Sequence, residues 1–224
     1  MSTYSRFLAI LIKESKINYR NFTNILSVFL FFLLGIIIFI FSIGFEKDII
    51  NQIGYGIIWT LIILSNTLSI RNFFQSDFDN NSLIIIHMSG FSYEIISLIK
   101  ILIIWIIIQI PFFITIPIAI ILLDIDIVNY NSLILSFLMG SVIITCITSM
   151  SASMNLLNNK NFSIGSLIIM ILSLPVIIFG VGIMNAPADF IRPQINILLG
   201  VMLFFLAISP WICGLCIKLS FQNK

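Results

Sequence analysis

Residues 99–123 read IKILIIWIIIQIPFFITIPIAIILL. Lys100, beside the start, is the only charge in that run. A helix rising 1.5 Å per residue needs about 20 apolar residues to cross a hydrocarbon core of about 30 Å, so this run is long enough to span a bilayer. A closed barrel would instead show segments of about ten residues alternating apolar and polar. No such alternation is present, and lipid offers the backbone no partners, so the run must be a helix.

Working outward, five more runs have the same character: 22–43, 53–70, 132–154, 162–184 and 195–217. The second is the shortest. The chain of 224 residues is 60% hydrophobic and only 9% charged, with mean hydropathy +1.18. Soluble domains carry charge on about a quarter of their residues. The expectation is an all-α membrane bundle of six transmembrane helices, forming a single domain over 1–224 without a linker or repeat. Pro111, Pro117, Pro175 and Pro210 fall inside the spans, where kinks are expected. The first run follows some twenty polar and mixed residues, and no small-x-small site follows it, so it should remain as an anchor.

A net charge of +2 is too small to argue for nucleic acid. The placement of the cations says more. Arg6, Lys13, Lys16, Arg20, Arg71, Lys100, Lys160, Lys218 and Lys224 fall on one side of the spans, and only Lys47 and Arg192 on the other. That asymmetry puts both termini in the cytoplasm of a bacterial inner membrane.

Two segments are neither span nor plain loop. From 3 to about 20, Tyr4, Leu8, Leu11, Tyr19 and the adjoining Phe22 lie near one helical face, apart from most of the cations. This is the pattern of an interfacial helix, with a simple basic retention signal as the alternative. The other is the long connection 71–99. It holds Asp77, Asp79, the apolar run 83–86, a turn at Ser89–Gly90 and an N-cap candidate at Ser92. It reads as a short cytoplasmic helix, a turn and the start of the third span. An apolar helix there either meets a partner or packs back on the bundle or lipid surface.

Chemistry is sparse. There is neither a G-x-x-x-x-G-K-[ST] phosphate loop nor an H-E-x-x-H, and His87 is the only histidine. The acids (Glu14, Glu46, Asp48, Asp77, Asp79, Glu94, Asp124, Asp126, Asp189) lie outside the spans or at their ends. Gradient-driven carriers keep such groups deep in the membrane to hold the coupling ion, so that class is disfavoured. Cys213 and Cys216 form a CxxC inside the last run and read as small packing residues, not a redox or metal pair. The fourth run gathers Gly140, Ser141, Thr145, Thr148, Ser149, Ser151, Ala152 and Ser153. These residue types allow close helix approach, within one bundle or between subunits. The chain reads as a mechanical part driven from elsewhere.

Trp59, LSIRNFF over 68–74, DFDNNSL over 77–83 and LPVIIFG over 174–180 together resemble the haem exporter protein B (CcmB) family of ABC transporter permeases in cytochrome c maturation. The resemblance runs over essentially the whole chain. That family carries an acid where Arg71 stands, a glycine where Asn81 stands and a glutamate where Ile84 stands, so Arg71 inherits no role from it. The resemblance implies a non-catalytic permease subunit that forms a homodimer and works with a cytoplasmic ABC ATPase, which binds the ATP. It further implies other cytochrome c maturation membrane proteins as partners and haem as a candidate cargo. No cofactor or metal is expected on this chain itself. Haem iron is usually held by His, Cys, Met or Tyr, and the outward loops hold neither His nor Cys. On this reading 77–91 couples to the ATPase, with Phe74, Phe78 and Leu83 as apolar anchors and Asp77, Asp79 and Arg71 as polar contacts. The rival is a passive scaffold that only holds partners together.

Overall fold

The computed structural model describes residues 22–44, 47–68, 70–125, 130–157 and 162–222, except the side chains of 22–25, 70–72, 162–164 and 188. The expected interfacial helix over 3–20 lies outside the described residues. Every described element is helical, and six helical stretches are long and apolar enough to cross a membrane. The chain is a multi-pass membrane protein.

The first span is α1 (Phe22–Ile43) and the second α2 (Lys47–Thr67), which begins six residues before the expected run. Asp48 in the first turn of α2 suits the positive end of the helix dipole, which lets the helix start among polar residues. Two short helices follow, α3 (Ile70–Asp79) and α4 (Ser82–Met88), where one was expected. Asn81 joins them with φ 55°. Asparagine is among the few residues with a side chain that tolerate this left-handed conformation. It stands where glycine would serve the same purpose.

The third span consists of α5 (Tyr93–Ile104), a π-helical turn (Trp105–Gln109) and α6 (Ile110–Leu122). Ser92 caps α5 as expected, its hydroxyl accepting from the Ile95 N–H at 3.5 Å. The wide turn ends just before Pro111, which has no N–H to give back to the preceding turn. Side chains from two other helices pin it. Trp105 Nε1 donates to Ser141 Oγ at 3.0 Å, and Gln109 Nε2 donates to Asn66 Oδ1 at 2.8 Å.

The fourth span, α7 (Tyr130–Leu157), is the axis of the bundle and is buried along most of its length. Its hydroxyls largely satisfy themselves. Thr145, Thr148, Ser149 and Ser153 each donate to a carbonyl one turn earlier, at 2.7–2.9 Å. The helix therefore presents a narrow surface to its neighbours with few unpaired polar groups. The small residues along it serve packing within the bundle.

Pro175 divides the fifth span at Ser173 into α8 (Phe162–Leu172) and α9 (Leu174–Asn185). The sixth, α10 (Ala188–Gln222), runs through both Pro193 and Pro210 and packs chiefly on α7 and α5. Cys146, Cys213 and Cys216 are buried free thiols. Cys213 Sγ meets Ser149 Oγ at 3.6 Å, which makes it part of the α7–α10 packing.

Trp59 of α2 is fully buried between α7 and α9 and stacks on Phe137, with ring centroids 4.7 Å apart. Gly140 and Gly180 make room for it. A Cβ at Gly140 would collide with the indole, and one at Gly180 would lie 2.8 Å from its Cε2. Glycine at these two positions is therefore set by the close approach of the indole.

Candidate functional site

The α3–α4 pair is the one described part of the chain where charged and polar side chains converge in the interior. Phe74, Asp77 and Phe78 follow the i, i+3, i+4 spacing of one helical face, and that face turns inward. Phe74 is 0% exposed, Phe78 5% and Leu83 of α4 0%. These three were expected to project toward a partner. Instead they anchor the helix pair to the bundle, because α3 packs along α7 and leaves only its other side free.

Asp77 lies outside the six spans as expected, yet it is buried. Its carboxylate forms an ion pair with Lys100, which is also buried. Lys100 was counted among the loop cations, but it sits two turns into α5 on the face shared with Ile96 and Ile103. Its Nζ also donates to the Phe73 carbonyl at 3.4 Å and lies 5.5 Å from the centre of the Phe74 ring. Asp77 Oδ1 accepts from Ser82 Oγ at 2.6 Å, and the same hydroxyl reaches the Asp77 carbonyl at 3.3 Å. Two charges removed from water in this way are tolerable only when paired and further hydrogen-bonded, as these are. Lys100 and Ser82 are the participants that sequence reading missed. The signal for Lys100 was its spacing from Ile96 and Ile103.

An aromatic group ties the same end of the bundle to α10. Phe78 packs on Phe221 at 4.6 Å between ring centroids. Tyr93 lies 6.3 Å from Phe221 and stacks on His87 at 4.1 Å. His87 Nδ1 donates to the Phe91 carbonyl at 2.8 Å, so the lone histidine is an exposed residue held against the start of α5.

Other side chains face outward. Ile85 is 65% exposed and Met88 82%. Asp79 is exposed and accepts from Gln75 Nε2 at 3.0 Å. The side chain of Arg71 lies outside the described residues. At the opposite end of the bundle, Lys47 and Asp124 form an exposed ion pair at 3.3 Å between the starts and ends of two spans. Among the described residues, no three His, Cys, Asp or Glu side chains come together as a metal site would require.

The family described as CcmB protein matches residues 5–220. The chain is 29% identical over 220 residues to "Heme exporter protein B" of Haemophilus influenzae, covering 97% of this chain and 99% of that protein. It is 27% identical over 186 residues to the protein of the same name in Bradyrhizobium diazoefficiens, covering 81% and 83%. A shorter match to the Escherichia coli protein of that name reaches 34% identity over 70 residues, 31% of this chain and 32% of that one. The match extends from the first described span to the last, through the buried pair and the tryptophan socket alike. The chain belongs to the CcmB family.

Proposed function

We propose that this chain is the permease subunit of an ABC-type complex acting in haem handling for cytochrome c biogenesis. It is non-catalytic, and a separate ATPase subunit supplies the energy. Its relatives named heme exporter protein B support the haem assignment. In this reading the chain works as a homodimer in the bacterial inner membrane beside other cytochrome c maturation proteins. Its termini and the α3–α4 pair face the cytoplasm, and ATP binds to the partner. Haem is the cargo, or is carried by the chaperone that the complex releases, and is not ligated by this chain.

The observation that carries the coupling role is the pair of exposed apolar side chains, Ile85 and Met88, on a short helix fixed at one end of the bundle. Apolar groups in such a place are suited to a protein groove. Phe74, Phe78, Leu83 and Asp77 would support that surface from beneath, and Asp79 would meet the partner at its edge.

Replacing Ile85 and Met88 together by glutamate is expected to lower co-purification of the ATPase by about tenfold or more, the equivalent of ~1.4 kcal/mol. Because both side chains are exposed, the amount of chain in the membrane should stay near wild type. Unchanged co-purification would refute the docking assignment. A catalytically dead ATPase separates this reading from the scaffold. A coupled permease then assembles but fails to deliver, whereas a scaffold supports both.

A further inference from the structure

The link between α4 and α5 is bridged at the surface by His87, which stacks on Tyr93 and donates to the Phe91 carbonyl. The link turns through Gly90 at φ +99°, and a Cβ there would meet nothing within 4 Å. A push on Ile85 and Met88 could be absorbed at that turn without moving the third span. The buried pair bypasses it. Asp77 belongs to α3, Ser82 begins α4 and Lys100 lies in α5 beyond the turn, and all three are hydrogen-bonded together. The Phe73 carbonyl and the Phe74 ring also lie against the ammonium group.

A second observation lies further along the same span. The regular helical hydrogen bonding that begins at Ser92 is interrupted at the π turn, Trp105–Gln109, with Pro111 two residues after it. Such turns are where helices bend. A rigid first half and an interrupted middle make a lever and a pivot.

We infer that Lys100 is a positioning residue: through Asp77 it locks α3, α4 and α5 into one unit, so that displacement of the Ile85–Met88 face reaches the third span and is taken up at the turn 105–109. This rests on the coupling reading for its purpose, but the lock itself belongs to the isolated chain and can be tested there.

The experiment compares wild type, Lys100→Met and the double variant Asp77→Asn with Lys100→Met in lipid nanodiscs, using amide hydrogen exchange on the chain alone. Lys100→Met leaves an unpaired carboxylate in the interior, so its abundance should fall. The double variant removes that penalty, and its abundance should recover. A lock predicts that exchange over 73–88 remains about tenfold faster than wild type in the double variant, while 133–156 in α7 stays within about twofold. With the ATPase present, the double variant should still bind it within about threefold while ATP-dependent delivery falls by about tenfold. Wild-type exchange over 73–88 in the double variant would overturn the lock and show that only the unpaired charge mattered. Faster exchange with undiminished delivery would overturn its transmission role. A wild-type chain that binds no ATPase would refute the coupling reading instead, and the exchange measurement would still decide the lock.

Discussion

Replacing Trp59 by alanine is expected to destabilise the bundle by about 3 kcal/mol, one of the largest losses available to a single substitution here. The estimate follows from what membrane burial does and does not contribute. Lipid chains are as apolar as leucine, so moving the indole from lipid to protein gains little by transfer. What Trp59 contributes is close packing against Phe137, Gly140 and Gly180 across three helices. Removing it leaves a void on the order of 130 Å³, and at ~24 cal/mol per Å³ that accounts for the figure. The loss should be read as a shift in denaturant titration of the purified chain in mild detergent, with wild type and Trp59→Phe as references. Gly180→Val attacks the same socket from the other side and should cost about 1–3 kcal/mol, because a Cβ there already crowds the indole. A Trp59→Ala chain as stable as wild type would show that the helices collapse into the space freely.

Phe74→Ala is the second large effect, at about 3–5 kcal/mol. The ring is fully buried, lies 5.0 Å from Phe73 and covers one side of the Lys100 ammonium. Its removal opens a void and exposes the buried pair to competing water. Ile85→Ala on the exposed side of α4 should stay within about 0.5 kcal/mol. The contrast is informative because both residues lie in the same short connection. Phe74→Ala should lower partner capture only in proportion to the loss of folded chain. The Ile85 and Met88 double variant should lower capture with the chain intact. If Phe74→Ala instead left stability unchanged and abolished capture, Phe74 would be a contact residue and the packing account would be wrong.

The six spans were legible because lipid imposes a simple demand: about 20 apolar residues in a row and backbone hydrogen bonds closed within the segment. The first span even kept its bounds, Phe22–Ile43. The ends of α2 and α10 were not legible, since polar residues at a membrane interface can continue a helix that hydropathy alone would stop. The division at Ser173 followed the proline that predicted it, whereas α10 passed through Pro210 without interruption. Whether a proline breaks or merely bends a membrane helix depends on what neighbours supply to the freed carbonyl.

The connection 71–99 shows the limit most clearly. The cap at Ser92 and the turn at Ser89–Gly90 stand where expected. The direction of the side chains was not determined by type. An aromatic or an aspartate near a loop is equally compatible with a partner surface and with the interior.

Sequence by itself determined that this chain is a helical membrane bundle, where its spans lie and which family it resembles, because those properties depend on local length, apolarity and motif. Only the tertiary structure decided that Asp77 and Lys100, 23 residues apart, meet in the interior, that two glycines frame Trp59, and that Ile85 and Met88 are left facing outward. Those outcomes depend on which helix faces touch. Helix contact is a balance among many similar apolar surfaces, settled by small residues, hydroxyls and one buried charge pair acting together.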